Sequence, residues 1–115
     1  MKKFLVIYHV PAADAIKQMK KVTPEQGAKG MQEWMNWAKK CGKHLVDMGT
    51  PLMNGMELPA KGKAEKSKKN VSGYSVLEAK NMAEAQKLLK GHPHLNGWSK
   101  KASIEVHEAM AIPGM

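Results

Sequence analysis

Five histidines stand in a chain that has only two aspartates, and the search for chemistry starts with them. One follows a tyrosine, as Tyr8-His9, and another closes the segment Ile104-Glu105-Val106-His107. A carboxylate and an imidazole beside an apolar hollow can exchange a proton near neutral pH, because burial and a neighbouring charge both move their pKa values. His107 and Glu105 are therefore the candidate catalytic acid and base, with His9 and Tyr8 as candidate assistants. His92-Pro93-His94 spaces two imidazoles as a metal-binding strand would, but Gly91 and Pro93 make it a turn after a helix, and no Cys or Asp stands close enough to complete a set. No metal and no cofactor is expected. His92 and His94 are instead candidate ligand contacts, together with Trp37 and His44. His44 and Asp47 are also spaced to pair on a helix surface, for a few tenths of a kcal/mol at most. Phosphate-binding glycine loops and G-x-S-x-G elbows are absent, and no serine has a triad context, so nucleophilic hydrolysis is not expected.

The elements that must position these residues follow from periodicity. Phe4-Leu5-Val6-Ile7-Tyr8 is a continuous apolar run, the pattern of a strand covered on both faces. After Pro11, residues 13–21 have room for a helical turn. Thr23-Pro24-Glu25-Gln26 opens a long helix, with Thr23 as cap, Pro24 at the first position and Gln26 closing a capping box. It is expected to run to Gly49, with Met31, Trp34, Met35, Ala38, Cys41, Gly42 and Leu45 as the stripe on the sheet. Trp37, His44 and Met48 then share one flank. Pro51 to Leu58 is readable as an edge strand, and Pro59 to Asn70 as a lysine-rich loop. Gly73 to Leu77 is the next strand, and Asn81, with Glu84 at the capping-box position, starts a second helix that Gly91 stops. Ile104 to Ala109 alternates in period two and supplies the last strand, with Ile104 and Val106 facing the helices and Glu105 and His107 facing away.

The order βαββαβ predicts an α+β, ferredoxin-like sandwich, a four-stranded antiparallel sheet with two helices on one face. Its 115 residues make one domain, 1–115. Helices on one face leave the other, with its apolar residues, for a second subunit, so a homodimer or larger homo-oligomer is expected. All 19 basic residues behind the net charge of +9 are lysines, which lack the guanidinium fork that reads phosphates and guanine edges, and aromatics are few. Nucleic acid is not an expected partner. Neither is a membrane, because no apolar stretch approaches a span, and Met1-Lys2-Lys3 before the first run reads as a strand flank rather than an export signal. The single Cys41 excludes an internal disulfide and fits a cytoplasmic location; mid-helix, it reads as buried and inert.

Five short segments, Phe4 to His9, Gly49-Thr50-Pro51-Leu52, Gly73-Tyr74, the Glu-Ala near the second helix and Ile104 to His107, together resemble the YCII-related (DGPF-like) proteins across nearly the whole chain. The resemblance implies a dimeric α/β barrel built by sheet-to-sheet pairing, with a pocket for a mostly unknown small molecule. It also implies, for some relatives, proton transfer on cyclic oxygenated or chlorinated compounds. The His-Asp dyad suggested for part of that family is not carried over, because Glu25 and Gln26 occupy the first helical turn and Met53-Asn54-Gly55 follow Leu52. The expected function is binding of a small organic molecule between sheet and helices, with acid-base proton transfer of an isomerase or lyase kind. The alternative is a non-catalytic homodimeric binding or interaction module whose interior polar groups fix the dimer.

Overall fold

The computed structural model describes residues 1–96 and 98–114; Gly97, in the loop before the last strand, lies outside the described residues. Strand β1 (Lys2–His9) is followed by helices α1 (Ala12–Lys21) and α2 (Pro24–Cys41), a single 3₁₀ turn at Gly42–His44, and strand β2 (Leu45–Asp47). A small hairpin, β3 (Met56–Glu57) and β4 (Glu65–Lys66), leads to β5 (Val71–Ala79), α3 (Met82–Leu89), a 3₁₀ turn at Pro93–Leu95, and β6 (Ser103–Glu108). The four long-range strands form an antiparallel sheet in the order β2-β5-β1-β6, the ferredoxin-like arrangement, and β3-β4 stand apart as a sheet of two.

Alternation sorts the sheet into two faces. Phe4, Val6 and Tyr8 of β1 and Ser75, Leu77 and Ala79 of β5 are buried, and they pack with Trp37 and Cys41 of α2 and Ala85 and Leu89 of α3. Leu5 pairs with Val76 and His107, and Ile7 with Tyr74 and Glu105, so these side chains share the face that carries no helix. The shortest dimension of the molecule is 20 Å. That is one sheet and one helix layer at about 10 Å each.

The helix starts match expectation. Gln26 N–H donates to Thr23 Oγ1 at 3.1 Å and Thr23 N–H to Gln26 Oε1 at 3.0 Å, closing the capping box. Asn81 Oδ1 caps α3 at Glu84 N–H, 2.9 Å, while the Glu84 carboxylate receives the N–H of Lys80.

Four expectations are corrected. Residues 12–21 form a full helix of 10 residues, not a turn, and bury none of its side chains. Helix α2 ends at Cys41 because Gly42 takes a positive φ of 56°, and the chain then turns Leu45–Asp47 into the edge strand beside β5. Residues 51–58 are therefore not that edge; only Pro51 makes a bridge, to Gly73, and Met56–Glu57 pair locally with Glu65–Lys66 inside the stretch expected as loop. Finally, the buried line of α2 runs through Trp34, Trp37, Ala38 and Cys41, and it leaves Met31 and Met35 61% and 44% exposed. Trp37 turns inward because its ring fills the core and its Nε1–H reaches the Leu88 carbonyl at 3.0 Å.

Candidate functional site

Because neighbouring residues of a strand face opposite ways, Tyr8 and His9 cannot serve one site. Tyr8 points to the helix side, where a chain of hydrogen bonds has only one consistent direction. Ser75 Oγ lies 2.7 Å from the Met48 carbonyl, which can only accept, so the Ser75 proton is spent there. Tyr8 Oη, 2.7 Å from Ser75 Oγ, must then donate to it. At the other end, His94 N–H donates to His92 Nδ1 at 2.9 Å, which leaves the His92 proton on Nε2, 3.1 Å from Tyr8 Oη. The relay runs His92 to Tyr8 to Ser75 to the backbone at Met48.

The surroundings keep it neutral. His92 is fully buried among the rings of Trp34, Trp37 and Tyr8, at centroid distances of 4.5, 4.3 and 5.0 Å. Burial, followed by the nearby His94, pushes its pKa down to about 3. Burial likewise pushes the Tyr8 hydroxyl up to about 12. Burial also lowers His94, against the backbone of His9 and Ser103, which raise it; its Nε2–H donates to the His9 carbonyl at 3.0 Å.

Above this floor is a cavity of about 360 Å³ between β1, β5, α2 and the loop after β2. Tyr8, Trp34 and His94 meet the thioethers of Met31, Met35 and Met48 on its walls. A larger and more open hollow of about 500 Å³ lies under α1, on the far side of Trp34 and His94. Its rim of Gln18, Gln26, Lys29 and Glu33 resembles solvated surface, whereas the smaller cavity has the apolar walls and few polar points of a ligand site.

On the open face the remaining candidates meet. Glu105 contacts His107 Nε2 at 3.2 Å through one oxygen and His9 Nε2 through the other, and the hydrogen bonds of His107 and then His9 hold its carboxyl below the usual range. His9 Nδ1–H donates to the Lys69 carbonyl at 2.7 Å, which fixes the ring so that Nε2 faces the carboxylate. The sequence grouped His9, Glu105 and His107, and strand pairing brings these three side chains into contact. The sequence also put Tyr8 with them, and the structure puts Tyr8 on the other side of the sheet. Glu105 and His107 consequently do not line the cavity between sheet and helices.

Among the ligand-contact candidates, His94 is on the cavity wall and His92 lies beneath it. Trp37 belongs to the core. His44 sits at the sheet edge, where its Nδ1–H donates to the Glu78 carbonyl at 2.8 Å and it stands 3.9 Å from Glu84. Asp47, its expected partner, instead accepts from Gly49 N–H and from the Tyr74 hydroxyl. Ser75, Met48 and Trp34 carry no local motif; the sequence placed Trp34 on the sheet-facing stripe of the long helix and Met48 on its flank, and Ser75 only within a strand. Among the described residues no three His, Cys, Asp or Glu side chains are arranged to hold a metal ion, and no helix is long and apolar enough to cross a membrane.

The sequence matches no family model and no curated protein, so the resemblance to the YCII-related proteins stands on its short segments alone. Among solved structures, the chain is similar to 5-chloro-2-hydroxyhydroquinone dehydrochlorinase from Burkholderia phenoliruptrix, determined in complex with 2,5-dihydroxybenzoquinone. The alignment covers 90% of each chain, at 10% sequence identity and a TM-score of 0.49. So distant a likeness says nothing about ligand or reaction.

Proposed function

We propose that this protein binds a small, mostly apolar cyclic molecule in the cavity above Tyr8. One observation carries the reading: aromatic rings and thioethers line a volume of about 360 Å³ over a polar floor whose donors are all engaged. That combination suits a single flat ring, since methionine sulfur and aromatic faces attract π surfaces and the fixed network needs no rearrangement. Binding is favoured over proton transfer. Tyr8 and His92 both remain uncharged across the physiological range, and neither is poised to exchange a proton near neutral pH.

Methyl-labelled methionine NMR tests this directly. A panel of phenols, cyclic ketones and lactones is expected to include compounds that shift the Met31, Met35 and Met48 methyl signals while leaving the exposed Met110 unmoved. A panel that moves none of the three would remove the reading.

The open face favours a second statement, that the chain functions as a homodimer with its two sheets packed together in a barrel. Leu5, Ile7, Tyr74 and Val76 form a contiguous apolar patch on it, flanked by His9, Glu105 and His107. Ile7 stands opposite Glu105, so Ile7→Lys gives the isolated subunit a charge partner while placing an extra cation in a sheet-to-sheet interface. Sedimentation velocity should find wild-type dimer and Ile7→Lys monomer of unchanged circular dichroism. A wild-type protein that sediments as monomer at tens of micromolar contradicts the dimer.

A further inference from the structure

We infer that the ligand of this cavity is an uncharged ring bearing a hydrogen-bond donor, a neutral hydroxyl or ring N–H, and not a carboxylate or a phenolate. The inference rests on the cavity being the ligand site and adds the chemical class. It follows from counting protons on the wall. Tyr8 has given its proton to Ser75 and accepts one from His92, which leaves one lone pair on Oη. His94 has given its Nε2–H to the His9 carbonyl, which leaves Nδ1 as an acceptor in the neutral ring. Ser72 donates to the Tyr8 carbonyl at 3.1 Å, and Tyr74 to the Asp47 carboxylate at 3.3 Å. Each of these four cavity-lining side chains has its proton committed to the protein; of the other lining residues, Thr50 has a hydroxyl able to act either way and Trp34 an indole N–H.

No Lys, Asp or Glu lines the cavity. An anion placed there would meet no cation, with only the Thr50 hydroxyl and the Trp34 indole N–H as side-chain donors to replace its hydration among lone pairs and thioethers. A carbonyl oxygen would find Thr50 and Trp34 as side-chain donors but would leave the acceptors on Tyr8 and His94 unused. A hydroxyl or N–H finds acceptors already oriented by the relay, and a site built to accept a donor discriminates against an analogue without one more strongly than apolar packing can.

Calorimetric titration of 4-methylphenol, its methyl ether 4-methylanisole and the anion 4-methylbenzoate tests the class. The phenol is expected to bind at least roughly tenfold tighter than either of the others, although the ether is the more apolar compound. Tyr8→Phe, which removes one acceptor, is expected to narrow the gap between phenol and ether. Equal affinity of phenol and ether, or tighter binding of the benzoate, overturns the donor assignment and leaves ring binding standing. Failure of all three to bind or to move the Met31, Met35 and Met48 methyl signals overturns both. Because the wild-type comparison is decisive alone, a Tyr8→Phe protein that does not fold leaves the test intact.

Discussion

Lowering the pH from about 7 to about 4 will cost this protein on the order of 3 kcal/mol of stability, chiefly through His92. The folded state holds His92 at about 3, against an ordinary value of 6.5. A depressed histidine favours the neutral form in the native state, so its contribution is complete above 6.5 and disappears as the pH falls toward 3. The structural cause is specific. A protonated His92 would place a cation among Trp34, Trp37 and Tyr8 and would turn Nδ1, which now accepts the His94 N–H, into a second donor pointing at a donor. His94, lowered in the same direction, adds to the slope. Urea midpoints followed by circular dichroism at stepped pH measure it. His92→Phe will be less stable at neutral pH, having orphaned the His94 N–H, but its stability should fall less steeply with acid. Parallel slopes in the two proteins would falsify the assignment. Should the variant fail to fold, NMR titration of the wild-type His92 ring serves instead, and an inflection near 6.5 would refute its burial as a neutral group.

Gly49→Ala should be the most damaging glycine-to-alanine change among the described residues, costing at least about 3 kcal/mol and ligand binding with it. Gly49 has a φ of +77°, and a Cβ there would sit 1.7 Å from the Tyr74 carbonyl oxygen and 2.6 Å from its carbon. Both are backbone atoms of β5 and cannot step aside without moving the strand. The loop after β2 would instead lift, carrying the Met48 carbonyl away from Ser75 and opening the cavity wall it shares with Met48, Thr50 and Pro51. Gly91→Ala is the control. Its φ of +75° is nearly the same, but nothing lies within 4 Å of the added methyl, so only the left-handed backbone strain of about 1 kcal/mol remains. Thermal denaturation of both variants separates clash from strain, and similar losses in the two would mean that close approach is not why position 49 needs glycine.

The resemblance segment Gly49-Thr50-Pro51-Leu52 shows how legible the site was. Its glycine was visible, but not the reason for it, because Tyr74 approaches from a strand 25 residues away in sequence. The same holds for Ser75, an ordinary strand serine until Tyr8 and Met48 meet it from either side. Helix α2 misled in another way. Trp34, Trp37, Met31 and Met35 are all apolar, and periodicity alone does not choose which of two overlapping stripes is inward. The choice fell to Trp37 because the Leu88 carbonyl was within reach of its indole.

What the sequence determined by itself was local: the Thr23 and Asn81 caps, the types of the principal elements, and the alternation that sends Glu105 and His107 to one face of β6. These follow from backbone geometry over a few residues, which needs no knowledge of distant partners. Tertiary structure alone decided that Tyr8 would join His92, Ser75 and the cavity. Those contacts span 67 and 84 residues of chain, and they exist only because β1 and β5 pair in one register and the turn after α3 folds back beneath α2. Side-chain period in a strand is two, so Tyr8 was bound to face away from His9. Which of the two faces the helices would cover, and so which residue would find itself in a dry pocket, was settled by packing.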